Sequence, residues 1–155
     1  MSKSHISAQL RHQIREDAGN RCGYCRASEI LLATELVIDH ILPESADGPT
    51  TRDNLWLVCT RCNQFKGSKT HATDPETGKV TALFNPRTQI WKEHLAWSRD
   101  GTRIIGLTAC GRVTVKALHL NRELAILARR RWVSVGWHPP ADQDSSTNLS
   151  QGPDP

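Results

Sequence analysis

Four of the five cysteines fall into two C-x-x-C pairs, Cys22-Gly-Tyr-Cys25 and Cys59-Thr-Arg-Cys62, with 33 residues between them. Two thiolates three residues apart can chelate one ion from a single tight turn. A second such pair closes a tetrahedral sphere, so the pattern points to one structural Zn²⁺. A disulfide framework is the competing reading. It needs an oxidising compartment, and the N-terminal MSKSHISAQLRHQIRED has no apolar segment of the secretory kind. A redox C-x-x-C usually occurs once, near a βαβ pattern that this chain lacks. Cys110 stands alone and reads as a small buried apolar residue rather than a ligand.

The two pairs bracket a second set of polar residues. Asp39-His40-Ile41 closes a β-rich apolar run, Asn54 follows His40 by 14 residues, Asn63 directly follows Cys62, and Lys66 comes three residues later. On Cys22-x-x-Cys25, Asp39-His40-Ile41-x-Pro43, Asn54-Leu55 and Cys59-x-x-Cys62-Asn63-x-x-Lys66, the chain resembles the HNH family of ββα-metal nucleases over about residues 21–69. The resemblance implies His40 as general base, Asp39 and Asn63 as ligands of a catalytic divalent ion, and Asn54 as the residue that holds the loop and orients His40. Asn63 stands where many members carry His, and an oxygen donor there favours Mg²⁺ or Mn²⁺ over Zn²⁺.

The residue types suit that chemistry. Phosphodiester hydrolysis needs an activated water, neutralised phosphate charge and a stabilised leaving oxygen. A neutral imidazole near pH 7 accepts the proton from water. A hard cation on a carboxylate and an amide oxygen serves the phosphate and the leaving group. Lys66, one helical turn after Asn63, is expected on the same side, against phosphate. Successive strand residues point to opposite faces, so Asp39 and His40 share a site only if the strand ends or distorts there. Pro43 fits such an ending.

Positioning these residues requires the following elements. Residues 7–18 read as a helix capped by Ser7 and ended by Gly19. Residues 35–42 and 54–58 read as strands, 43–53 as a loop, and 60–69 as a helix. Residues 70–79 are turn-rich. After them come a strand at 80–84 and a short helix running into a strand over 86–97, with Pro86 at its first position. A hairpin over 94–108 turns at Asp100-Gly101, and residues 111–120 read as helical. The last helix spans 121–136, with an apolar stripe of Leu124, Leu127, Ala128 and Val135 on which Arg131 also falls. Trp91, Trp97, Trp132 and Trp137 read as core.

The whole chain has 155 residues and a net charge of +4, unevenly spread. Residues 1–76 are nearly neutral at −1, residues 77–137 carry +8, and residues 138–155 carry −3. A localised basic surface suggests a polyanion partner. Arg61, Lys66, Lys69, Lys116, Arg122 and Arg129 are the candidate nucleic-acid contacts. No apolar run reaches the roughly 20 residues that cross a bilayer, and an intracellular, cytoplasmic protein is expected.

The expected fold class is α+β: a zinc-stapled ββα-metal core with an N-terminal helix and a small basic α+β extension. The expected division is a nuclease module at 1–76, a basic extension packed on it at 77–137, and a disordered acidic tail at 138–155. The expected activity is metal-dependent hydrolysis of phosphodiester bonds in double-stranded DNA, with structural Zn²⁺ and catalytic Mg²⁺ or Mn²⁺. The alternatives are a non-catalytic zinc module that binds nucleic acid and a nuclease acting on RNA. Oligomeric state is not legible.

Overall fold

The computed structural model describes residues 5–141. Helix α1 (Ala8–Ala18) begins where Ser7 accepts a hydrogen bond from the Leu10 amide, and it ends at Gly19, which adopts the left-handed conformation (φ 61°) open to glycine. Its Ile14 and Ala18 are buried. A single turn, α2 (Glu29–Leu32), is capped in the same way by Ser28.

Strands β1 (Val37–His40) and β2 (Leu55–Val58) pair antiparallel, with His40 opposite Leu55 and Val37 opposite Val58. Helix α3 (Thr60–Lys66) starts at once, with Cys59 as its cap. This ββα unit is the expected one, and α1 packs against β2. The loop between the strands contains two short 3₁₀ turns, Glu44–Ala46 and Arg52–Asn54. It folds so tightly that a Cβ on Gly48 would stand 1.7 Å from the Leu42 carbonyl oxygen.

Strands β3 (His71–Thr73) and β4 (Val80–Ala82) form a hairpin. The expected division at 76/77 therefore falls inside a turn between paired strands. That turn is tied to a later helix, α5 (Ala109–Ala117), by Arg112 on Asp74. The single turn α4 (Trp91–His94) runs into β5 (Leu95–Trp97), which pairs with β6 (Ile104–Gly106) across the Asp100-Gly101 turn. Pro86 does not open this helix: residues 86–88 form a turn, Ile90 is extended, and the helix starts at Trp91. The hairpin and α5 approach closely because position 111 has no side chain; a Cβ there would lie 1.9 Å from the His94 carbonyl oxygen.

Helix α6 (Glu123–Ser134) departs from expectation. Leu124, Leu127 and Val135 are exposed, and Arg131 with them, while the buried position is Arg129 at 3%. Trp137 is exposed too, but His138 is buried, edge-on to Trp97 and Trp132 and 3.0 Å from the Gly101 carbonyl oxygen. The residue that opens the expected tail thus belongs to the core; residues 142–155 lie outside the described residues. One cluster of buried side chains joins the two halves: Tyr24, Leu55 and Leu57 share it with Phe84, Trp91, Leu95 and Val113. Trp91 also donates to the Tyr24 carbonyl at 2.9 Å. No helix among the described residues is long and apolar enough to cross a membrane.

Candidate metal centre and active site

The turn before α2 and the start of α3 bring Cys22, Cys25, Cys59 and Cys62 together. Their sulfurs all lie within 4.8 Å of one another, and all four residues are buried. None is in a disulfide, and the Cys25 and Cys59 sulfurs are 3.8 Å apart, well beyond bonding distance. The amides of Tyr24 and Cys62 point at the sulfurs of Cys22 and Cys59, each at 3.4 Å. Burial pushes the Cys22 thiol up, while hydrogen bonds from the other three thiols pull Cys59 down. Four buried sulfurs at this spacing fit a tetrahedral cation. Cys110 is half-buried beside Gln89 and takes no part.

At the far end of the ββα unit, β1 delivers Asp39 and His40 in opposite directions. Asp39 turns toward α3, where its Oδ2 lies 2.9 Å from the Lys66 ammonium. The ammonium also donates to the carbonyls of His40 (3.1 Å) and Ile41 (3.2 Å). Burial raises the Asp39 pKa, and the charge of Lys66 opposes that rise. His40 faces the loop instead. Its Nε2 lies 2.8 Å from Thr50 Oγ1 and 3.3 Å from Glu44 Oε1.

Asn54 secures that loop. Its Nδ2 donates to the carbonyls of Leu42 and Pro49, and its Oδ1 accepts from the Leu42 amide, all at 2.9 Å. Its carbonyl accepts from Ile41 at 2.8 Å. These bonds end β1 just past His40. Asp39 and His40, despite their opposite directions, therefore both line one groove of about 740 Å³, and Asn63 lines it from α3.

Lys66 is not at the groove surface. At 2% exposure it lies beneath the strand, so the expected phosphate contact is replaced by a brace for Asp39 and the β1 backbone. Arg129 is likewise no surface contact: its guanidinium donates to the carbonyls of Thr102 and Leu120 and to Asn121 Oδ1. Arg61, Lys69 and Lys116 are exposed; Arg122 is half-buried against Phe65. None of them lines the groove. Sequence reasoning missed Glu44 and Thr50 beside His40, and Arg11 and Arg15 of α1 on the groove wall. Only the closure of the 43–53 loop on Asn54 hinted at the first two.

Residues 22–69 match the family model described as HNH endonuclease. Over 59 residues the chain is 41% identical to a CRISPR-associated endonuclease Cas9 of Corynebacterium diphtheriae, a stretch covering 37% of this chain and 5% of that protein. No solved structure matches the chain. The segment that holds the cysteine cluster and the β1–β2 hairpin thus matches the HNH endonuclease model inside a mixed α and β fold, and the matched stretch spans only 5% of that relative.

Proposed function

We propose that the protein is a metal-dependent endonuclease that hydrolyses phosphodiester bonds of double-stranded DNA, stapled by one structural Zn²⁺ on Cys22, Cys25, Cys59 and Cys62. One observation carries the reading: Asp39, His40 and Asn63 line a single groove at the end of the ββα unit. Asp39 and Asn63 would hold Mg²⁺ or Mn²⁺. The carboxylate of Asp39 and the amide oxygen of Asn63 are hard oxygen donors of the kind such a cation takes. The ion, when bound, supplies charge neutralisation at the phosphate and at the leaving oxygen.

His40 acts as the general base. A ring whose Nε2–H donates to Thr50 or Glu44 keeps its lone pair on Nδ1, ready to take a proton from water. Glu44 also stabilises the imidazolium that results. Asn54 positions: it fixes the loop that carries Glu44 and Thr50, and so the orientation of the ring. Lys66 positions from below, through the carbonyls of His40 and Ile41.

The test is cleavage of plasmid DNA and of RNA across divalent metals, with His40→Ala beside the parent. The variant is expected to keep its fold and about one zinc per chain, and to lose about 10²–10⁴ in rate. Cleavage at the parent's rate removes His40 as base. DNA binding without cleavage in any metal leaves a zinc-stapled binding module. Preference for RNA changes the substrate.

A further inference from the structure

We infer that Arg11 of α1 is the side chain that grips the substrate backbone in the groove, as a phosphate anchor outside the segment with HNH character. The inference deepens the nuclease reading above and rests on it.

The groove's own charge sets the problem. Glu35, Asp39 and Glu44 line it, and Lys66, which pairs with Asp39, is buried. A phosphodiester entering this space before the metal ion is bound meets carboxylates, and a cation on the groove wall offsets that repulsion. That wall is α1, which presents Arg11 and Arg15. The two are four residues apart and so lie on one helix face.

They differ in availability. Arg15 is neutralised, with Nη1 2.5 Å from Glu29 Oε2 and Nη2 3.5 Å from Glu35 Oε1. Arg11 is exposed and pairs with no carboxylate among the described residues. Among the described residues it is the groove's one arginine with its charge and its planar fork of donors unpaired. That fork matches two phosphate oxygens at once.

The helix is also held firmly enough for Arg11 to be an anchor. Ile14 and Ala18 are buried in the core, Ser7 caps the first turn, and Asp17 in the last turn pairs with both Arg52 (2.7 Å) and Arg87 (2.9 Å). The basic residues beyond position 77, for all their number, do not line this groove.

The experiment uses the full zinc-loaded chain and a short labelled DNA duplex, with binding read by fluorescence anisotropy over a series of salt concentrations in buffer with no added divalent metal and no chelator. Arg11→Ala, Arg11→Lys and the charge-matched control Arg103→Ala, an exposed site in the β5–β6 hairpin, are compared with the parent. Arg11→Ala is expected to weaken binding about tenfold at low salt and to lower the salt slope by about one, the signature of one lost phosphate contact. Arg11→Lys recovers the slope but only part of the affinity, and Arg103→Ala changes neither. In cleavage, Arg11→Ala raises KM and leaves kcat close to the parent's. Parent-like binding and slope in Arg11→Ala overturn the inference, as does an equal loss in Arg103→Ala. Because binding is read without added catalytic metal, a parent that binds but never cuts removes the nuclease reading while the anchor still stands or falls on its own slope.

Discussion

Lys66 Nζ lies 2.9 Å from Asp39 Oδ2 while donating to the carbonyls of His40 and Ile41, so one cation from α3 holds the last two residues of β1 and the residue that follows them. The pair is nearly dry, with the lysine side chain 2% and the aspartate side chain 9% exposed. Removing one partner of such a pair strands the other as a buried charge. Lys66→Met should cost about 3–5 kcal/mol. The double variant Asp39→Asn with Lys66→Met should recover part of that, since no lone charge remains. Urea unfolding of the three proteins checks this; a Lys66→Met protein as stable as the parent contradicts the brace.

Asn54 makes three side-chain hydrogen bonds to Leu42 and Pro49. At about 0.5–1.5 kcal/mol net for each bond, Asn54→Ala should lose about 1–3 kcal/mol of stability. The loop it closes carries Glu44 and Thr50, so kcat should fall with KM little changed, and less steeply than in His40→Ala. A loss confined to KM would move Asn54 from positioning the base to binding substrate.

Much of this arrangement was legible because it is local. Ser7 and Gly19 mark the ends of α1 whatever surrounds them, and the Asp100-Gly101 turn marks its hairpin. Two C-x-x-C pairs demand one site wherever the chain goes. The parts that misled depend on distant partners. The spacing of Lys66 from Asn63 says which side of a helix it occupies, but its burial comes from a carboxylate and two carbonyls 25 to 27 positions back in the chain. In α6, Leu124, Leu127 and Val135 repeat with helical period yet lie outward. The face turned inward is that of Arg129 and Trp132, made possible by carbonyls at residues 102 and 120 that no periodicity can report. The role of α1 as a groove wall follows from its packing on β2, which the spacing of Leu10 and Ile14 does not specify.

Arg129 therefore gives a prediction of opposite sign for the two readings of its charge. As a surface contact, its loss would flatten the salt dependence of DNA binding. As a buried brace, Arg129→Met should leave that slope unchanged and cost about 2–3 kcal/mol, because the Thr102 and Leu120 carbonyls lose a charged donor. Thermal unfolding and a salt titration on the same protein separate the two.

Asp74 ties the β3–β4 turn to α5. Both oxygens of its fully buried side chain take Arg112 at 2.9 Å, and it also accepts from Thr77 and the Glu76 amide. The Arg112 guanidinium holds the Asp74 carboxyl well below its ordinary 3.8. The sign follows: in acid the unfolded chain takes up a proton on this group before the folded chain does, so the contribution is full above 3.8 and fades as the pH falls below it. Asp74→Asn should melt several degrees below the parent at neutral pH, since Arg112 loses its counter-charge. The gap between the two proteins should then narrow as the pH drops toward about 3. Other carboxylates, Asp100 among them with its pKa drawn down to about 2, will lower both curves together, so the difference between variant and parent is the quantity to follow. A gap that stays constant across this range would show that folding does not hold the Asp74 carboxyl below its ordinary pKa, which contradicts the ion pair to Arg112.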